Sequence, residues 1–383
     1  MSDKNLFGEF PKLSKQKWIE KATTDLKGAD FDEKLVWNTS EGFHVMPFYT
    51  VEDLEQLDYL KSYHNSTFNK EENHLDARNW QFRQVIQIED DNSANKELLH
   101  ALNQGADAVE LDISAVQQAT DFNKLLHEVL FPYCEISFRL QENHFSFFQR
   151  LEKYLEARGF TPEDLKGSIR VNQSSIQEHV SLIKGSKIYP NFRSVVVAHE
   201  AAHSIVDKIA SLLANTVKLT DQFIEASIPA DEVLSKLELV YSLSNNYFFE
   251  IAGLRALRML ICGIAEEYGV AISHPNLFHI HATCSITINE ETQQHPEWNM
   301  LSNTTQAMSA IIGGCNSLSI PPHNEGIAKT DDFSKRIARN ISNILREEAY
   351  FNKVADPAAG SYYIEHLTHQ LAEKAWKSFQ QQL

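Results

Sequence analysis

Five consecutive residues, His199-Glu200-Ala201-Ala202-His203, carry the spacing of a zinc-hydrolase helix. Two histidines four residues apart share one helix face and can hold zinc, while the glutamate between them activates a water. Such a site needs a third ligand. Glu225, Glu232 and Glu238 lie within reach along the chain, but none stands in a distinctive context. The motif also has to lie well inside a helix. Here the aliphatic run Val195-Val196-Val197-Ala198 reads as a strand that ends just before His199. The pattern therefore predicts a strand followed by a loop, with no metal. A zinc metallopeptidase remains only as a lesser alternative.

Other reactive types are sparse. The four cysteines, Cys134, Cys262, Cys284 and Cys315, form no CxxC pair and are widely spaced. Zinc ribbons, redox motifs and a disulfide scaffold are unsupported, and scattered thiols suit a reducing cytoplasm. The chain has 383 residues, 43% hydrophobic and 23% charged, with a formal net charge of -17. That charge gives no global attraction to nucleic acid or to an anionic membrane. The start, MSDKNLFGEFPKL, lacks the apolar core of a signal peptide. No stretch approaches the roughly 18 apolar residues of a membrane span. A cytoplasmic protein is expected.

Short apolar runs alternate with helical stretches from residue 79 onward, the mark of β/α units. The predicted strands are residues 80–87, 108–112, 134–140, 167–172, 194–198, 237–243, 279–286 and 317–320. Helices are predicted over 92–104, 145–158, 202–215, 246–268, 304–312 and 333–350. This pattern fits a (β/α)8 TIM barrel better than an open sheet. No Gly-rich phosphate loop follows any strand. Residues 1–70 read as an extended N-terminal arm. Trp18, Leu26, Phe31, Leu35, Val36 and Trp37 would anchor it on its own barrel or on a partner. The barrel is expected over 71–365, and a C-terminal helix or the start of a linker over 366–383.

Two C-terminal stretches carry the most specific signal. They are DFSKRIARN (Asp332 to Asn340) and VADPAAGSYYIEHLTHQLAEKAW (Val354 to Trp376). Asp356-Pro357 followed by Gly360-Ser361-Tyr362-Tyr363 is a loop signature that periodic helices do not need. Together these resemble the end of the substrate-binding domain of the adenosylcobalamin-dependent methylmalonyl-CoA mutase family. The resemblance extends to Asn79–Gln84, Asn245–Leu260 and Trp298–Ile320, and so covers essentially the whole chain. Residues Asp25–Trp37 and Glu41–Tyr49 look particularly like the small subunit of the heterodimeric bacterial enzymes.

The resemblance implies a barrel threaded by the tail of an acyl-CoA, with cobalamin above it. It also implies succinyl-CoA/(R)-methylmalonyl-CoA isomerisation. Departures from the family pattern then matter. Where active chains have a tyrosine on the first strand, this one has Val85. Where they have a Tyr-His pair after the fifth strand, it has Val196 and Val197, and it has Arg170 for a glutamine on the fourth. Lys184 is the nearest equivalent of the carboxylate-gripping arginine, and Thr283-Cys284-Ser285 replaces other contacts. The DxHxxG signature of the cobalamin domain is absent from the sequence.

These losses imply a chain without catalytic residues and without its own cobalamin-binding domain or cofactor. Adenosylcobalamin would sit in a homologous large catalytic subunit, its heterodimer partner. Arg83, Arg170 and Lys184 remain as lumen cations, either filling the lumen with ion pairs or holding the anion of a residual acyl-CoA. An active acyl-CoA mutase barrel served by a cobalamin domain on a separate chain is the alternative.

Overall fold

Eight parallel strands surround one axis, and helices cover their outside. The computed structural model describes residues 14–55, 57, 59, 78–116, 120–171, 175–199, 204–271 and 278–383. The barrel strands are β1 (Gln81–Gln87), β2 (Ala108–Asp112), β3 (Glu135–Leu140) and β4 (Gly167–Val171), then β5 to β8. β5 comes in two pieces, Phe192–Arg193 and Val195–Ala198. β6 is Leu237–Ser242, β7 is His279–Thr283 and β8 is Ser317–Ser319. Neighbours in sequence pair in parallel, and β8 pairs with β1. The first piece of β5 pairs with β4 and the second with β6, so the barrel closes across Ser194. All eight predicted strands form.

Alternation along the strands sorts the residues. Val109, Leu111, Ile136, Phe138, Leu140, Ile169, Leu237, Leu239, Ile280 and Leu318 are buried in the hydrophobic core. They face outward onto the helices, so the polar residues between them face the lumen. Gly167 starts β4 at φ +122°, where a Cβ would come 2.2 Å from the Ile136 carbonyl oxygen. Only glycine lets β4 approach β3 so closely.

Several helices differ from expectation. The helix after β5 runs Ile205–Glu225, starting three residues later and ending ten later than predicted. Its predecessor Ile176–Gly185 was not predicted at all. Trp298–Gly313 begins six residues before the expected start.

The described part of the arm lies on its own barrel. It holds the helix Lys15–Asp25 and a hairpin of Trp37–Asn38 with His44–Val45. At the hairpin tip, Glu41 accepts hydrogen bonds from the Ile205 and Val206 N–H groups, 3.1 and 2.9 Å. That places an anion on the positive end of a long helix. Phe43 is buried and stacks on Phe249 at 5.8 Å, and the Trp37 ring lies 5.3 Å from the same side chain. Residues 60–77, where the expected arm meets the expected barrel, lie outside the described residues.

At the other end, the helix Tyr362–Gln380 packs on the helices Tyr247–Glu267 and Ile205–Glu225. It crosses the expected boundary at 365/366 and belongs to the barrel's outer layer. The loop before it is fixed by Arg255, which ion-pairs with Asp356 and, at 2.8 Å, with Glu365. Gly360 turns the chain at φ +76° and donates its N–H to Glu365 Oε1 at 2.9 Å.

Candidate functional site in the barrel lumen

Polar side chains fill the lower lumen. Arg83 of β1 is fully buried and crosses to Glu238 of β6. Its Nη1 and Nη2 donate to Oε1 and Oε2 of that carboxylate, both at 2.9 Å. Two parallel charge-assisted bonds of this kind are the strong form of the pair. Glu110 of β2 and Glu135 of β3 lie 3.8 and 3.9 Å from the same guanidinium. Arg193 of β5 approaches Glu135 at 3.4 Å. Ser168 Oγ donates to Glu238 Oε1 at 2.9 Å. His279 and His281 share the Ser317 hydroxyl, each at 2.7 Å. Ser319 Oγ donates to the Arg83 carbonyl at 2.7 Å.

Electrostatics agree with this picture. Burial alone would push the Glu238 carboxyl up, but the Arg83 guanidinium outweighs it and holds the group well below the usual carboxylate range. Burial, with Arg193 and Arg83 nearby, keeps His279 and His281 neutral. The floor of the lumen is therefore a closed, paired network.

The upper lumen, at the strands' C-terminal ends, is open. Val85 is 38% exposed, and Arg139, Arg170, Val196, Ala198, Ser242 and Thr283 are half-buried. Arg139 ion-pairs with Glu110 and, at 3.4 Å, with Asp112. Arg170 stands beside Arg139 in strand register, yet has no ion pair or hydrogen bond among the described residues. Burial and the neighbouring Arg139 lower its pKa.

The expected site residues scatter. Arg83 and Arg170 face the lumen, one at the floor and one at the mouth. Lys184 does not: it is exposed near the end of the outer helix Ile176–Gly185, where a cation suits the helix's negative end. Val197 also does not face the lumen. It is buried in the outer core, in register with Leu239, whereas Val196 shares the face of Glu238. Val85 lines the mouth.

His199 lies just past β5, and its Nε2 accepts the Ser242 N–H at 3.2 Å. Glu200 and His203 lie outside the described residues, and the next helix begins only at Ile205. Glu238, one of the three glutamates weighed as a third zinc ligand, is committed to Arg83. Another, Glu232, pairs with Lys187 at 2.7 Å. Among the described residues no group of three or more His, Cys, Asp or Glu is arranged to hold a metal ion. Among them, too, no helix is long and apolar enough to cross a membrane.

Sequence reasoning missed Glu110, Glu135, Arg139 and Arg193, and weighed Glu238 only as a zinc ligand. A signal was present for all but Arg193, which precedes the predicted strand 194–198: the others recur with period two inside predicted strands, beside apolar neighbours that face the helices.

The fold and its lumen define a (β/α)8 barrel whose axis is filled by its own charged side chains. Residues 170–382 match the family model described as methylmalonyl-CoA mutase, and the chain belongs to that family. It is 33% identical over 400 residues to the methylmalonyl-CoA mutase small subunit of Porphyromonas gingivalis, covering 98% of this chain and 63% of that protein. It is 25% identical over 402 residues to the small subunit of Streptomyces virginiae, covering 98% and 64%. The methylmalonyl-CoA mutase of Cereibacter sphaeroides is 28% identical over 406 residues, covering 94% and 57%. The chain thus spans less than two thirds of the length of these relatives.

Proposed function

We propose that this chain is a non-catalytic partner of a homologous catalytic chain in a methylmalonyl-CoA mutase. It contributes a barrel that associates and does not react. The observation that carries this reading is the Arg83–Glu238 pair across the axis. An acyl-CoA tail running through the barrel would need the volume this pair occupies. Parting a buried ion pair costs about 3–5 kcal/mol when one partner is lost. Val85 at the mouth offers no hydrogen bond to a thioester, and Val197 points away from it. The small-subunit names of similar proteins agree with this assignment.

Adenosylcobalamin belongs, on this reading, to the partner. The residues here do not fit it as a holder. His279 and His281 are engaged with Ser317, and His199 with the Ser242 N–H. Localisation in the cytoplasm follows from the same assignment.

A second reading, an active barrel served by a cobalamin protein on a separate chain, has one observation in its favour: the open mouth with unpaired Arg170. One experiment separates them. The chain is mixed with a homologous mutase chain that carries cobalamin, and the complex is sized and assayed. We expect a one-to-one complex, and no turnover of methylmalonyl-CoA by this chain with adenosylcobalamin alone. Turnover without the homologous chain, or failure to form the complex, overturns the proposal.

A further inference from the structure

The arm grips the barrel with one side and leaves large apolar residues on the other. Trp37, Phe48 and Val51 are between 38% and 57% exposed, while Phe43 and Val45 of the same hairpin are buried. Two barrel residues share this exposure. Phe248 lies in the first turn of the helix Tyr247–Glu267, and Tyr362 opens the helix Tyr362–Gln380. Ring contacts join arm and barrel. Phe248 meets Tyr363 at 5.6 Å, and Tyr363 meets Tyr49 at 5.7 Å. Trp37 pairs across the hairpin with Val45. Val45, Phe48, Tyr49, Tyr362 and Tyr363 line one cavity of about 680 Å³.

We infer that this composite surface is where the homologous catalytic chain docks, one of its apolar side chains filling the cavity. The inference rests on the function proposed above and adds the place of contact. Area supports it. Side chains of this size carry about 150–250 Å² each, so five that are half exposed present roughly 400–500 Å². A standard interface takes about 800 Å² from each partner, somewhat more than half of it apolar. The surface supplies that apolar share. Its composition also suits the centre of an interface, where aromatic residues concentrate and charge is depleted. No charged side chain lines the cavity. Charges beside it are matched within the chain: Lys15, over the Tyr49 ring, with Asp53, and Arg255 with Asp356 and Glu365.

Charge also selects the partner. Each copy of this chain carries a formal net charge of -17. A charge of that size keeps like copies apart. A different chain of lower negative charge meets no such barrier. Because arm and barrel each supply part of the surface, it exists only while the arm lies on its own barrel. The Glu41 carboxylate on the Ile205 and Val206 N–H groups holds it there.

The test uses the full chain and a homologous mutase chain that carries cobalamin, with affinity read by sedimentation. Phe48→Ala and Tyr362→Ala should each weaken the complex by about 30-fold or more, the loss typical of a central contact. Tyr133→Ala, exposed just before β3, should leave it unchanged. Amide hydrogen exchange of the parent chain should slow over residues 45–53 and 360–364 when the complex forms. Variants that melt like the parent and bind as tightly overturn the docking surface, and so does unchanged exchange; the function proposed above then stands without it. If a variant does not fold, the exchange measurement decides alone. Failure of the parent chain to form the complex overturns both. A self-dimer of the parent that Phe48→Ala abolishes would give the surface to a second copy and overturn the partner named here.

Discussion

At the floor of the lumen, Arg83 makes two bonds of 2.9 Å to Glu238 and has two more carboxylates within 4 Å. At the mouth of the same lumen, Arg170 has a second arginine beside it and no carboxylate within bonding distance among the described residues. Both arginines project from strands into one enclosed space. What separates them is how the carboxylates are distributed and how much water reaches them. Where water is excluded, each charge must be matched within the protein, and the match fixes the geometry. Where water enters, it can solvate a cation that has no direct protein partner. A barrel can thus be tightly paired at one end and water-accessible at the other without any change of fold.

The largest effect should come from the floor. Glu238→Ala leaves Arg83 buried without its main partner and should cost about 3–5 kcal/mol in urea unfolding. A loss below about 1 kcal/mol would mean that the floor is hydrated and not a paired plug. Changing both partners sharpens the point. Arg83→Met with Glu238→Leu should be less destabilised than the sum of the single changes, with a coupling of roughly 0.5–3 kcal/mol. Additive losses would remove the claim that the two act as one unit.

Acidification separates the plug from the rest of the molecule. Outside the barrel wall, His144 is fully buried, its Nδ1 lies 3.6 Å from the Glu178 carboxylate, and the His179 ring lies 4.7 Å away. Burial pushes both imidazoles down to about 4. The unfolded chain then binds protons that the folded one refuses. The stability linked to this pair is present above about 6.5 and is lost as pH falls toward about 4. His144 alone accounts for roughly 3 kcal/mol of that slope. Glu238, with its pKa depressed, contributes stability that is present above its unfolded value and is lost only as pH falls below about 4. Melting temperature against pH should therefore fall in two stages. His144→Phe should flatten the first stage only; flattening of both would tie the histidines to the lumen network.

Much of this was readable beforehand, and the failures have physical reasons. The eight strands were legible because strands such as AVELD and EISFRL alternate apolar and polar residues. The same alternation cannot say which face is inside. In an ordinary sheet the polar face meets solvent, whereas here it turns into the lumen and the apolar face meets the helices. Glu110, Glu135 and Glu238 were therefore not foreseen as Arg83's partners. Lys184 was misplaced because the helix Ile176–Gly185 went unread, although Ser175 caps it and Val180 and Ile183 follow helical spacing. Of the pair Val196 and Val197, only Val196 faces the lumen, because one residue along a strand reverses the side chain's direction. The C-terminal loop was recognised from Asp356 and Gly360 because turn residues at fixed offsets are not shared by periodic helices.

The smallest expected effect is also the most discriminating for the mouth. Arg170 makes no bond to any described residue, so Arg170→Gln should change unfolding free energy by no more than about 0.5 kcal/mol, like an ordinary surface substitution. It should slightly raise stability if repulsion from Arg139 outweighs lost contacts of the side-chain stem. Urea unfolding of this variant beside Glu238→Ala measures both ends of the lumen in one experiment. A loss of 3 kcal/mol or more for Arg170→Gln would show that the mouth is internally paired, as the floor is. The contrast between the two arginines would then collapse.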